Sequence, residues 1–538
     1  MRRLISLLLL VGATRAWGQP TPAPPEAGSA AAAGSAAVPL TPEQTPEHAA
    51  PTSAPTTPVV PPQQEPATSN AQQKSDALDA VPPPPVAKPT QENSERGFRF
   101  GSYGRVLADT DLRGGQPEQL LVGAYGPRIV EDSYVELEFS YGFERMKAGD
   151  TEIVLRPVFT LAIEGDLFHD TGVFDSMPAI RNLYLEARFS DHLTGWAGSR
   201  MYRGDDIYLF DMWPLDNLNT LGAGVQYRTE LPRGERHDAI EVALHGGVNR
   251  DDNDYQYQTI EVPNPAQGEA EITQLNRQRL IASLGLSYIF DGGPGGLSIK
   301  AKVYGEAHHI GSGQFLRDDM STEDLPSDGG YLVGAEISLF GMQPPHSGFR
   351  RHLNLFMRYA KGLAAFDPLQ APSTFGPDLK TTLANELLFG VSGNWDEKFG
   401  NLMLGVLSRR FIDASGEDMN PDNGWEYALD ARPLGRLSRD WYFGADVSYQ
   451  ARFPQGLNPI TLRAEDPGIF QIAPMFVFSP MGPSGYDRPQ IRFVYRAAYL
   501  NQGALDDYVP GDVRQTRPWV HYLGVQAEWW FNSSSYNR

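Results

Sequence analysis

Cysteine is absent from this 538-residue chain. That excludes thiol catalysis, disulfide cross-links, a lipid-modified N-terminal cysteine and cysteine-based metal sites. Long apolar runs are missing too. The early run at residues 4–11 is too short to cross a bilayer, and no later stretch reaches the roughly 20 apolar residues of a transmembrane helix. Membrane insertion therefore requires a β-barrel. Basic charge is scarce: the formal net charge is −21, which gives no footprint for nucleic acid. It weighs, less strongly, against a pore that concentrates anions. Finally, residues 19–96 contain no aromatic side chain.

Residues 1–18 read as a secretory signal. Arg2 and Arg3 precede the apolar run, and Ala16-Trp17-Gly18 offers a small-x-small cleavage site. Residues 19–97 are crowded with Pro, Ala, Thr, Ser and Gln, as in VPPPPVAKP. Such a segment cannot bury enough apolar surface to offset its ordering entropy, so a disordered periplasmic linker is expected. It acts as a passive spacer or contacts the cell wall.

At Phe98 the composition changes, and period-two alternation recurs as far as Phe531. In SYVELEFSYGF, Val135, Leu137, Phe139, Tyr141 and Phe143 oppose Tyr134, Glu136, Glu138 and Ser140. In IRFVYRAAYL, Ile491, Phe493 and Tyr495 oppose Arg492 and Arg496; in HYLGVQAEWWF, Leu523, Val525 and Trp529 oppose Gln526, Glu528 and Trp530. In FRFGSYGRVLA, Arg99, Tyr103 and Arg105 form the polar side. Short connections such as DGGPGG at 291–296 alternate with long polar ones such as residues 250–271. An all-β transmembrane antiparallel barrel with short periplasmic turns and long outer loops is expected over residues 98–531, with 16 or 18 strands. Its negative mean hydropathy fits, because only alternate residues meet lipid. A polar tail, residues 532–538, follows the last strand.

The stretch WAGSRMYRGDDIYLFDMWPLDN at 196–217 packs four aspartates among five aromatic rings. Read alone it admits a glycosidase, with its acid and base among Asp205, Asp206, Asp211 and Asp216, or a pore lining. Its order settles more than its inventory. W-A-G-x-R-x-Y, two spaced aspartates and then LGAG resemble the third loop of the maltoporin (sugar porin) family. GSYGR at 101–105, SYVEL at 133–137, PAIR at 178–181, RPQIR at 488–492 and QAEWWF at 526–531 fall in that family's order and approximate spacing.

The resemblance implies an 18-stranded outer-membrane barrel, usually a homotrimer among lipid and lipopolysaccharide, with its third loop folded inward. It also implies a passive channel for maltodextrin-like or other oligosaccharides. Carried over by position, the aromatic slide falls on Tyr103, Tyr134, Tyr486 and Trp530, and the constricting residue on Trp213, where the family usually has tyrosine. The polar and ionic track falls on Arg105, Arg128, Glu136, Arg181, Asp206 and Asp211. Alternation alone already puts Tyr103, Tyr134 and Trp530 on the polar face, and extending the register from IRFVYRAAYL adds Tyr486. The parity of Arg181 instead follows the apolar Leu183 and Leu185. Two departures stand out: a slide phenylalanine matches Val333, and the constriction carries the larger Trp213. The aromatic lent by a neighbouring subunit has no clear match, with Phe168 and Phe174 nearest.

Aromatic rings can touch the C–H face of a sugar while carboxylates and arginines exchange hydroxyl hydrogen bonds along the path. Subsites near millimolar affinity, about 4 kcal/mol, recruit a solute without trapping it. A general or differently selective porin on the same barrel is the alternative, with a secreted carbohydrate enzyme ranked below it. No cofactor is expected. Asp251-Asp252-Asn253-Asp254 lacks a full calcium-loop pattern, and the adjacent His308 and His309 point to opposite strand faces, so no metal site is expected.

Overall fold

In a computed structural model, the described residues are 96–533, apart from 150, 167–174, 235, 267, 318, 344–349, 367–369 and 418. The expected signal at 1–18, nearly all of the linker at 19–97, most of the tail at 532–538, and Phe168 and Phe174 lie outside them.

Eighteen antiparallel strands form one closed barrel. In chain order they are β1 (Gly97–Thr110), β2 (Tyr134–Gly142), β3 (Thr151–Asp166), β4 (Asp175–Arg188), β5 (Leu193–Arg203) and β6 (Asn217–Arg233). Next come β7 (Arg236–Asn249), β8 (Arg279–Phe290), β9 (Leu297–Ile310), β10 (Asp328–Gly341), β11 (Arg351–Gly362) and β12 (Asn385–Glu397). The wall ends with β13 (Gly400–Ile412), β14 (Gly424–Arg436), β15 (Trp441–Pro454), β16 (Gly468–Phe478), β17 (Gln490–Leu500) and β18 (Trp519–Phe531). Each strand pairs with its chain neighbour, and β1 closes the cylinder against β18 through Tyr103 opposite Trp530 and Arg105 opposite Glu528. Closure removes the sheet edges that lipid could not satisfy.

The alternation read from the sequence is the alternation of the wall. On β17, Ile491, Phe493, Tyr495 and Tyr499 are exposed outward while Arg492, Val494 and Arg496 are buried inward. Outward rings gather near both ends of the strands. Phe98 and Phe100 meet Phe139 at the short-turn end, and Tyr499 meets Trp519 at the other. Such girdles sit at the two membrane interfaces of an outer-membrane barrel.

One irregularity matters for the lumen. Between β3 and β4, Thr160 pairs with Asn182 but Leu161 pairs with Ile180, which leaves Arg181 as an extra residue in a bulge. Ile180, Leu183 and Leu185 all face outward, whereas Asn182 and Tyr184 are buried inside. The bulge frees Arg181 from the parity of Leu183, and its side chain turns inward to Glu136 of β2. His308 and His309 on β9 obey simple alternation, the first buried and the second exposed.

The segment between β1 and β2 (111–133) and the segment between β5 and β6 (204–216) both fold into the barrel. The first rests its Ile129 and Val130 on Leu434, Tyr442 and Met475 of the wall. The second is the expected inward third loop, and the two meet through Arg128 N donating to the Leu209 carbonyl at 2.8 Å.

Candidate functional site: the constriction of the lumen

The third loop is a strap fastened at both ends. At its root Arg203 pairs with Asn217, and Gly204 N donates to the Asp216 carbonyl at 2.8 Å. A side chain at 204 would push the Asp216 carboxylate out of its place, so the glycine makes room for it. Its tip closes as a small ring: Ile207 N donates to Met212 O at 2.7 Å around the short 3-10 turn Tyr208–Phe210.

Apolar residues, rather than charges, do most of the anchoring. Ile207, Leu209, Phe210, Met212 and Leu215 are buried against Leu332, Phe356, Leu388, Met403 and Leu407 of β10 to β13. Burying such side chains contributes about 1.5–3 kcal/mol each. The wall makes room with glycines. A β-carbon at Gly390 would stand 2.8 Å from Ile207 Cδ1, and one at Gly405 would stand 3.2 Å from the Phe210 ring. Leu215 occupies the space over Gly334 in the same way.

Two of the four aspartates are spent on fixing the strap. Asp216 pairs with Lys302 at 2.6 Å, and Asp205 pairs with Lys300, which also holds Glu336 at 2.6 Å. Asp206 accepts from the Tyr486 hydroxyl at 3.2 Å, joining a track position to a slide position. Asp211 differs from these three. It caps the tip turn with left-handed backbone, φ 50°, and leaves 48% of its side chain exposed, 3.9 Å from Arg128. Desolvation by the surrounding barrel wall raises its pKa, but Arg128, Arg105, Arg203 and Arg181 outweigh that and hold the carboxyl below the usual range.

Opposite Asp211 lies a crowded polar wall. Tyr134 donates to Glu136 at 2.6 Å, and the guanidinium groups of Arg105 and Arg181 lie 5.6 and 5.7 Å from its ring centroid. Arg128 donates to the Tyr103 hydroxyl at 2.8 Å and reaches Glu528 at 3.5 Å. Arg105 pairs with Glu131 at 2.8 Å. Arg488 meets Glu528 at 2.7 Å, stacks 4.8 Å from Trp530, and with Arg492 converges on Glu528 and the Tyr208 hydroxyl. Both signs of charge therefore interleave with aromatic rings.

An 18-stranded barrel narrowed by an inward third loop, with these motifs in order, meets its sequence counterpart here: the sequence model of the LamB porin family matches residues 98–531. The chain belongs to the LamB porin family. This porin is thus a channel of the outer membrane, and its family's members are channels rather than enzymes. Family membership weighs against the glycosidase reading of Asp205, Asp206, Asp211 and Asp216, and two of these, Asp205 and Asp216, pair with lysines.

No curated protein sequence matches the porin. Among solved structures it is similar to the outer membrane channel DcaP of Acinetobacter baumannii, at 10% identity, covering 81% of this chain and 98% of that one, with TM-score 0.38. A BenF-like porin from Pseudomonas fluorescens Pf-5 gives 9% identity, 81% and 98% coverage, and TM-score 0.41. Outer-membrane expressed OmpT of Vibrio cholerae gives 10%, 81% and 98%, with TM-score 0.29.

Within the porin, the expected site residues divide. Tyr134, Arg105, Arg128, Glu136 and Arg181 cluster with Asp211 across from them, and Tyr486, Asp206 and Trp530 cluster around the strap's tip. Trp530 and Tyr486 are partly buried against that tip. Three expectations change. Trp213 does not present its face at the opening: it is 5% exposed, with the Arg203 guanidinium 3.6 Å above its ring. Tyr103 is 4% exposed, its ring enclosed between Tyr134 and the arginines. Val333 is 47% exposed on the outer face, and Leu332 is the residue turned inward there.

Sequence reading missed Lys300, Lys302, Glu131 and Arg488 as members of the site, and had Tyr208 only as one of the five rings of the 196–217 stretch. LSIKAKVYG did carry a signal, because Lys300 and Lys302 share one strand face with Tyr304. The loop residue Glu131 carried none. Asn253 of the 251–254 segment accepts from Tyr255 N and Gln256 N, as an ordinary turn does. Among the described residues, no group of three or more His, Cys, Asp or Glu gathers for a metal ion.

Proposed function

We propose that this porin is a passive, sugar-selective diffusion channel. The observation that carries the reading is the constriction itself. A strap pinned by buried apolar side chains exposes the Asp211 carboxylate across from Arg105, Arg128 and Arg181. The rings of Tyr134, Tyr486 and Trp530 are partly accessible beside them. Donors and acceptors of both signs next to ring faces suit a hydroxyl-rich solute that must exchange partners as it moves. Neutral hydrogen bonds of about 0.5–1.5 kcal/mol keep each step weak.

Liposome swelling tests this with sugars and non-sugar solutes matched in size. Faster entry of oligosaccharides than of matched polyols supports selectivity, and equal rates at every size remove it. A general or differently selective porin is the second reading. It is favoured by the enclosure of Tyr103 and Trp213, which leaves the aromatic line interrupted. A homotrimer in lipid and lipopolysaccharide follows by resemblance to the family, and the Pro/Ala-rich composition of residues 19–97 adds an N-terminal periplasmic linker that acts as a passive spacer or contacts the cell wall.

A further inference from the structure

The WAG and GAG motifs lie on a patch of lumen wall that the constriction does not use. Gly198 pairs directly with Tyr184 on one side and with Gly222 on the other. Trp196 pairs with Gly224, which in turn pairs with His245. The glycines form a floor on which rings can lie, for a β-carbon at Gly224 would stand 2.6 Å from the Trp196 indole nitrogen. Trp196 meets Tyr184 edge-on at 6.2 Å and His245 at 4.9 Å.

Arg200 stands above this floor. Its guanidinium lies 4.9 Å from the Tyr184 ring centroid, 5.3 Å from Trp196 and 5.4 Å from Tyr202. Tyr184, Trp196 and His245 are buried, whereas Arg200 and Tyr202 are only partly so. The patch therefore shows the lumen a stacked cation beside a phenol ring. Arg128, Arg358, Arg409 and Arg492 each pair with a carboxylate. Among the described residues, Arg200 has none within ion-pair distance, and its contacts are those three rings.

A guanidinium lodged among three aromatic rings, with its fork of N–H donors unspent, matches the two oxygens of a carboxylate. We propose that Arg200 is a carboxylate-accepting subsite, and that the solutes of this porin include acidic oligosaccharides built from uronic acids. Tyr202 offers the neighbouring ring face for the sugar. This rests on the sugar-channel reading and deepens it. The subsite lies beyond the constriction, because Arg200 is three residues from the root of the strap at Arg203, about 10 Å toward the short-turn mouth. The chain's overall negative charge does not oppose it, since pairing here is local and does not need a pore that concentrates anions.

The test is block of ion current through the full-length porin in planar bilayers by a trimer of galacturonic acid and by the neutral galactose trimer. At low ionic strength the acidic trimer is expected to block the wild type at about tenfold lower concentration. Added salt should erode that ratio. Arg200→Gln should bring the ratio to about one while the neutral trimer blocks as before. Arg200→Lys keeps the stacked cation but loses the fork, so its ratio should fall between the two, and it carries the comparison if the glutamine variant does not assemble. An equal response to both trimers in the wild type, or a ratio unchanged in the variants, would overturn the subsite and leave the sugar channel standing. If neither trimer blocks the wild type, the sugar-channel reading falls and the subsite with it.

Discussion

The Arg203 guanidinium lies 3.6 Å from the ring centroid of Trp213. The tryptophan thus shapes the opening through the arginine it carries. A desolvated stack of this kind contributes about 2 kcal/mol. Trp213→Ala is expected to free Arg203 and shift the reversal potential in a salt gradient toward anion preference, with a smaller change in conductance. A conductance increase without a selectivity change would instead make Trp213 a simple steric plug.

The glycine contact beneath the strap should be intolerant of bulk. A β-carbon at Gly405 already stands 3.2 Å from the Phe210 ring, which is not a freely moving chain end. Gly405→Val should cost about 1–3 kcal/mol by overpacking and displace the strap into the lumen. Single-channel conductance should fall, whereas unaltered conductance would show that the strap is not seated there.

Lys302 and Asp216 offer a test of the strap's anchoring. Asp216 is buried and Lys302 largely so, with the pair 2.6 Å apart. Lys302→Met strands a buried carboxylate, at a cost of about 3–5 kcal/mol. Adding Asp216→Asn should recover most of the loss, as read from the urea midpoint of refolded barrels in detergent. A single variant as stable as the wild type would remove the pair as an anchor.

Asp487 gives the turn between β16 and β17 a pH dependence. Burial pushes its carboxyl up to about 6, and Asp396 adds to that against the opposing pull of Arg350. The folded pKa exceeds the unfolded one, so folding favours the protonated form. The contribution is full below about pH 4, near the unfolded value, and is lost as pH rises through about 6. The protection factors of the amides at residues 482–488, corrected for the intrinsic pH dependence of exchange, should fall over that window, and Asp487→Asn should abolish the fall. An unaltered pH profile in the variant would assign the effect elsewhere.

Strands were legible because a barrel wall with lipid on one side and a polar lumen on the other writes a strict period of two into the chain. Arg181 shows where that reading fails locally, since a bulge inserts one residue and no composition signal marks it. Val333 shows the cost of a one-residue slip in matching, which moves a side chain to the opposite face. The third loop's inward fold came from resemblance to a family, not from alternation. What the four aspartates do was beyond reach, because Asp205 and Asp216 meet lysines 95 and 86 residues away. The first loop's entry into the lumen left only two short apolar runs, Leu120–Val122 and Ile129-Val130, as a trace.

Current block by a neutral oligosaccharide series tests the sugar channel most directly, with wild type compared against Asp211→Asn. A sugar-selective constriction predicts saturable, concentration-dependent block that strengthens with chain length and weakens severalfold in the variant. Absence of block by every sugar in the series, with normal conductance and normal barrel assembly, would contradict it.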